Sequence, residues 1–260
     1  GYRTAGRLMD ATHDLVIEFN VANVNAGQAV ATGDVNADGY ADLLIGAPAW
    51  SSQGRVTLHL GSASGLSGAT SAILASGASN GGFGNSLAVG DVNGDGFGDV
   101  IVGSSMRSNG QSGEGMVHIY YGGAGAFDTT IDVSLEANQA LAEFGHSVAF
   151  AGDVNGDGYG DVLVGARFYD NGDNDEGAMF LYLGGGSMDT AQDGQFEVNQ
   201  ASAYLGYSVG GIGDINGDGF ADMAAGAIGL DLSGATNGGT ARVWFGAASI
   251  DTVANRNLDV

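Results

Sequence analysis

Cysteine and lysine are missing from this 260-residue chain, and proline occurs once. The lack of cysteine excludes a disulfide framework, a thiol nucleophile and thiolate metal sites. The lack of lysine leaves seven basic residues, all arginine, against 30 acidic ones, for a formal net charge of −23. Such a balance excludes sequence-independent binding to nucleic acid or to an anionic membrane surface. No apolar run approaches the roughly 20 residues that cross a bilayer as a helix, so direct membrane insertion is not expected. The chain begins with Gly1 and shows no leader, and it reads as a processed or excised form.

What is abundant is glycine, 49 residues without a collagen-like period, which points to many tight turns between short strands. One acidic loop, D-x-N-x-D-G-x-x-D, occurs four times: Asp34–Asp42, Asp91–Asp99, Asp153–Asp161 and Asp214–Asp222. The first aspartates stand 57, 62 and 61 residues apart, so one supersecondary unit is repeated.

Each loop offers only hard oxygen ligands, which suit Ca²⁺ over Mg²⁺ and argue against zinc. The expected set is Asp34, Asn36, Asp38, the carbonyl of Tyr40, and Asp42. Its repeats are Asp91, Asn93, Asp95, Phe97 and Asp99; Asp153, Asn155, Asp157, Tyr159 and Asp161; and Asp214, Asn216, Asp218, Phe220 and Asp222. An EF-hand needs a glutamate at position twelve. Ile45, Val102, Val164 and Ala225 stand there instead, each within an apolar strand. The loop is therefore strand–loop–strand. A plain polar turn would not require the fifth and ninth aspartates every time. Four bound Ca²⁺ would move the net charge from −23 to −15, so metal binding is expected to couple to folding.

Period-two patterning marks four strands per unit. The first are expected at Gln28–Thr32, Asn85–Val89, His146–Ala151 and Tyr207–Ile212, ahead of the loops. The second follow at Ala41–Ile45, Asp99–Val102, Asp161–Val164 and Ala221–Ala225. The third are Arg55–Leu60, Met116–Tyr121, Ala178–Leu183 and Ala241–Phe245, and the fourth Ser71–Ala75, Thr130–Val133 and Gln195–Val198. Four short antiparallel strands per repeat describe an all-β chain, a β-propeller of four-stranded blades. The chain is read as a single domain, 1–260, with repeats at about 20–76, 77–134, 135–199 and 200–260.

The units resemble FG-GAP repeats, the blades of the integrin α-subunit propeller. Phe83-Gly84 and Phe144-Gly145 carry the first half of that signature, with degenerate copies at Ala26-Gly27 and Leu205-Gly206. Gly46-Ala47-Pro48 carries the second half, with looser copies at Gly103-Ser104, Gly165-Ala166 and Gly226-Ala227. The aspartate loop lies between the halves, as in that family. The integrin propeller has seven blades and this chain has four units, so it forms either a closed four-blade ring or an arc. Asp14–Asn20 and Arg256–Val260 both stand where a fourth strand belongs. Closure of the last blade by the N-terminal strand, within 1–19, is the favoured arrangement. A spare terminal strand could instead join copies, giving a self-assembling surface protein.

The resemblance implies an extracellular or cell-surface adhesion and recognition module with structural calcium. It puts a protein or glycan partner on the face opposite the loops. The segments on that face are Pro48–Gln53, Ser104–Gly113, Ala166–Glu176 and Ile228–Gly239. Trp50, Arg107, Arg167, Phe168 and Tyr169 are their candidate contact residues, of types enriched at binding hot spots. The acidic run Asp170–Glu176 is read as a solvated loop, with a fifth metal site as the alternative. No catalytic motif or cofactor-binding loop appears, and His59, His118 and His146 fall at repeat positions, so the chain is not expected to be an enzyme. A hydrolase or polysaccharide lyase borne on the propeller is the alternative.

Overall fold

The computed structural model describes residues 15–77, 81–232 and 235–251, and the backbone of 256–258. Sixteen strands form four antiparallel sheets, each built from consecutive strands in chain order. The first holds β1 (Val30–Gly33), β2 (Asp42–Ala47), β3 (Arg55–His59) and β4 (Ala72–Leu74). The second holds β5 (Leu87–Gly90), β6 (Asp99–Ser104), β7 (Met116–Tyr120) and β8 (Val133–Leu135). The third holds β9 (Phe144–Gly152), β10 (Asp161–Ala166), β11 (Ala178–Tyr182) and β12 (Gly194–Phe196). The fourth holds β13 (Leu205–Gly213), β14 (Asp222–Ala227), β15 (Thr240–Trp244) and β16 (Arg256–Leu258). These are the four-stranded blades of a β-propeller.

The strand alternation decides how the blades pack. Side chains along β7 point in turn to opposite faces. Val117 and Ile119 join a buried cluster with Phe144, Val162 and Phe180 of the third blade. Tyr120 faces the other way, among Val56, Leu58, Leu74 and Phe83. On the third blade the same rule sends Val162 and Phe180 backward, and Leu163, Met179 and Leu181 forward against Leu205, Met223 and Trp244. Three apolar clusters thus fill three blade junctions. That is why the middle strands are apolar on both faces. Each fully buried Leu, Val or Phe contributes roughly 1.5–3 kcal/mol.

Backbone contacts repeat at each junction. Gly98 donates its N–H to the Asp34 carbonyl (2.8 Å), Gly160 to Asp91 (3.2 Å) and Ala221 to Asp153 (2.9 Å). Gly123 donates to Val35 (3.0 Å), Gly185 to Val92 (2.9 Å) and Ala247 to Val154 (2.9 Å). At the other end of the strands, the Gly84 carbonyl sits so close to Gly46 that a Cβ there would stand 2.1 Å away. Gly145 on Gly103 and Gly206 on Gly165 repeat that approach. The two halves of the repeat signature are therefore the two sides of one blade-to-blade contact.

The ends differ from the expected closure by the N-terminal strand. The fourth strand of the last blade is β16, paired with β15 through Ala241↔Leu258, Arg242↔Asn257 and Val243↔Arg256. The described part of the N-terminal segment, 15–20, is not a strand, and it lies against the first blade. Phe19 meets Trp50 edge-on (6.0 Å), and Leu15 reaches Gly68. Residues 1–14, including His13, lie outside the described residues. Inner strands pack β1 on β5, β5 on β9 and β9 on β13. Among the described residues the four blades are joined by three junctions, and no comparable packing returns from β13 to β1.

Candidate functional site

Every aspartate loop links a first strand to a second strand, and its side chains fold back on its own backbone. In the third loop Asp153 Oδ1 accepts the N–H groups of Gly156 (2.6 Å) and Asp157 (3.1 Å), and Oδ2 that of Gly158 (2.8 Å). Asn155 Oδ1 accepts the Asp157 N–H (3.0 Å), and Asp157 Oδ1 accepts that of Tyr159 (3.0 Å). The same pattern holds from Asp91 to Phe97 and from Asp214 to Phe220, and from Asp34 to Tyr40 apart from the bond of the fourth residue, Ala37 there. Positive φ at the sixth position, 86° at Gly39 and 94° at Gly158, lets the turn close.

The ninth aspartate has a separate structural duty. Asp161 is fully buried. Its Oδ2 accepts the Val154 N–H (2.7 Å) and its Oδ1 the Gly184 N–H (2.8 Å), tying the loop to the end of β11. Asp42, Asp99 and Asp222 make the same two bonds. Burial pushes the Asp161 carboxyl up to about 7 and that of Asp99 to about 6, with repulsion from Asp157 and Asp153, or Asp95 and Asp91, adding to it. In the exposed Asp214 the opposite holds: the Gly219 N–H, followed by those of Gly217 and Asp218, outweighs desolvation and lowers the carboxyl.

These residues fit a hard divalent cation by their chemistry. Each loop gathers three carboxylates and one amide carbonyl, and among the described residues no arginine or histidine pairs with any of them. The Asn155 amide stands in as the donor to Asp157 Oδ2 (2.9 Å), as Asn36, Asn93 and Asn216 do in the other loops. No three carboxylate or His groups converge on one point as a preformed cage among the described residues. A cation would take the place of that amide donor.

First strands run toward the loops, so their starts lie at the opposite end of the blades. A cleft of about 480 Å³ opens there, lined by Asn25, Gln28, Pro48, Asn85, Ser105, Met106, Glu143, His146 and Arg167. A second hollow of about 500 Å³ adjoins it, sharing Met106 and Glu143 and adding Leu141, Phe168 and Asp175. Arg167 presents Nε and Nη2 to Glu143 Oε2, both at 2.9 Å, and His146 Nδ1 lies 3.5 Å from the same oxygen. Desolvation raises the Glu143 carboxyl, but hydrogen bonds from His146 and Arg167 overcome it and the net shift is downward. The Arg167 guanidinium also lies over Phe168 (4.5 Å) and near Tyr207 (5.6 Å).

Of the five expected contact residues, the structure gathers Arg167 and Phe168 at this cleft. Tyr169 turns inward, its ring 5.1 Å from Phe180. Arg107 lies over Gly81 and donates from Nη1 to the Ser76 carbonyl (3.4 Å). Trp50 sits apart, under the Arg55 guanidinium at 3.8 Å. Trp50, Arg107 and Tyr169 do not line the cleft. Leu141 and Met106 were missed; both are exposed apolar residues at the cleft rim. The Asp170–Glu176 run is a braced loop. Glu176 is fully buried and its Oε1 accepts the Asn171 N–H (2.6 Å), while Asp170 Oδ1 accepts that of Asp175 (2.6 Å). The repeated pair Glu114-Gly115 and Glu176-Gly177 was the signal for this brace, since Glu114 Oε1 accepts the Asn109 N–H in the second blade.

The FG-GAP repeat family matches residues 26–59, 83–120 and 144–182. Integrin alpha-5 of Xenopus laevis is 30% identical over 222 residues, 80% of this chain and 20% of that protein. Phosphatidylinositol-glycan-specific phospholipase D of Bos taurus is 29% identical over 209 residues, 72% of this chain and 25% of its own length. Integrin alpha-V of Gallus gallus is 30% identical over 220 residues, covering 80% and 20%. The chain thus spans about a fifth to a quarter of these curated relatives. A solved rhamnogalacturonan lyase of Bacillus licheniformis overlaps at a TM-score of 0.46 with 13% identity, over 75% of this chain and 39% of that one, too distant to weigh. Three matched FG-GAP repeats, with a fourth blade that repeats their aspartate loop, make this a chain of FG-GAP repeats that resembles the integrin α-subunit β-propeller.

Proposed function

We propose that residues 1–260 act as one extracellular recognition module whose blades are held by structural Ca²⁺, one ion in each aspartate loop. The observation that carries this reading is the repeated set of loop carboxylates with no cationic partner among the described residues. The ligand set is the one named from the sequence in each loop. The ninth aspartate in each serves both the backbone and the ion. The integrin relatives favour a protein partner. The cleft at the opposite end supplies what such a partner needs: an arginine, a phenylalanine and exposed Met106 and Leu141 at one rim.

Binding of candidate protein and glycan ligands to the immobilised chain, in calcium and in chelator, tests this. An Arg167→Ala, Met106→Asp variant is expected to lose at least about tenfold in affinity, about 1.4 kcal/mol, while it remains folded at the assay temperature. Ligands that bind the variant as well as the parent chain contradict the assignment of the face. The phospholipase D relative motivates the enzymatic reading. Against it, His59 and His118 are buried in third strands and His146 is held by Glu143. Turnover of a phosphodiester or polysaccharide that disappears on His146→Ala would favour the enzyme.

A further inference from the structure

Each of the three blade junctions is made by the same pieces, and among the described residues the first and fourth blades each keep one unmatched half. On the fourth blade, Ile215 is 57% exposed, while its equivalents Val35, Val92 and Val154 are 1%, 0% and 0% exposed beneath the following blade. The carbonyls of Asp214 and Ile215 accept no backbone hydrogen bond among the described residues, although those of Asp34 and Val35 and their repeats do. Gly217 has no described heavy atom within 4 Å of a Cβ position, whereas Gly156 carries the ring of Phe220 at 2.6 Å.

The first blade shows the counterpart. The Tyr40 ring, equivalent to Phe220, is 43% exposed. The N–H groups of Ala41 and Ser62, equivalent to those of Gly98 and Gly123, have no backbone acceptor among the described residues. Segment 15–20 covers the outer strands of this blade beside Trp50 and His59, and among the described residues nothing covers the inner part of the face.

We propose that the free face of the fourth blade docks on the free face of the first blade of a second copy of this chain. Tyr40 of one copy would cover Gly217 of the other. Ala41 and Ser62 would donate to the Asp214 and Ile215 carbonyls, reproducing the internal junction. This is continuity with an interface the molecule already uses three times, and it differs from strand exchange because β16 stays in its own sheet. The contact is head-to-tail, so it closes into a ring only if the blade rotation permits and otherwise extends.

The test is sedimentation of the whole chain from micromolar to millimolar concentration, in millimolar calcium and 1 M sodium chloride. At that salt the screening length is about 3 Å, so mutual repulsion of acidic copies is removed. The expected result is a mass that rises with concentration above the 25.9 kDa of one copy. Ile215→Asp and Tyr40→Ala should each lower self-association by at least about tenfold, with melting of the single copy unchanged. An equal mixture of the two variants should form a two-copy species, since one intact half remains on each. A constant single-copy mass overturns the proposal. So does association that ignores both substitutions, or a mixture that stays single-copy.

Discussion

The ring of Phe220 lies on Gly156, the fourth residue of the preceding aspartate loop; a Cβ built there would stand 2.6 Å from Phe220 Cε1. Gly217 has nearly the same backbone, φ 79° against 78°, and no described neighbour within 4 Å. Alanine at either position meets the same left-handed strain, about 1–2 kcal/mol. Only Gly156→Ala must also displace an aromatic ring, a further ~1–3 kcal/mol. Thermal melting at low protein concentration should therefore rank Gly156→Ala well below Gly217→Ala. Equal losses would show that the loop-to-loop contact adds nothing to blade packing.

Ninth and fifth aspartates should separate cleanly. Asp161→Ala strands the buried N–H groups of Val154 and Gly184, each at a cost of about 1–3 kcal/mol. That loss is expected in chelator, and in calcium the ion's increment is lost with it because Asp161 is also one of its ligands. The exposed Asp157 bonds only within its loop, so Asp157→Ala should remove the calcium-dependent increment and leave the chelated protein nearly unchanged. Denaturant titration under both conditions reads the difference. Identical profiles for the two variants would contradict the division of roles.

Acid should weaken the junction between the first and second blades through His118. Its ring lies 6.0 Å from that of Phe83, and Nδ1 is 3.0 Å from Ser134 Oγ. Burial, with the Arg107 charge second, lowers its pKa from 6.5 to about 4. The unfolded chain therefore binds the proton first. The stability His118 confers is complete above pH 6.5 and is lost as pH falls toward 4, by at most about 1.4 kcal/mol per pH unit. The raised carboxyls of Asp99 and Asp161 run the other way over the same window, so the comparison must be between variants. His118→Gln should lose less stability than the parent between pH 6.5 and 4.5; parallel curves would remove His118 from the account.

Much of this was legible because repetition averages out local ambiguity. Second and third strands were located to within a residue or two, since their apolar residues are buried on both faces. First strands were harder. The β9 and β13 strands begin at Phe144 and Leu205, two residues ahead of expectation, where a register shift near Gly165 or Ser208 lets the signature glycine enter the sheet. The outer strand expected at Thr130–Val133 instead runs Val133–Leu135, because Asp128 caps a turn at Thr130 and Asp132 braces Tyr121. Arg167 was visible by type and position, but its partner Glu143 was not. Their meeting depends on the pairing of the start of β9 with the end of β10, 24 residues apart, which no local pattern encodes.

Divalent ions bound in the loops are proposed to hold them and, through them, the blades. Melting of the parent chain in chelator and across a calcium titration tests it most directly. Ion present at a hundredfold over its dissociation constant adds about 2.7 kcal/mol per occupied loop. For a chain of this size that raises the melting temperature by roughly 5–10 °C per loop. Such a rise is expected, saturating with calcium and reversed by chelator. The same melting temperature in chelator and in millimolar calcium would contradict it.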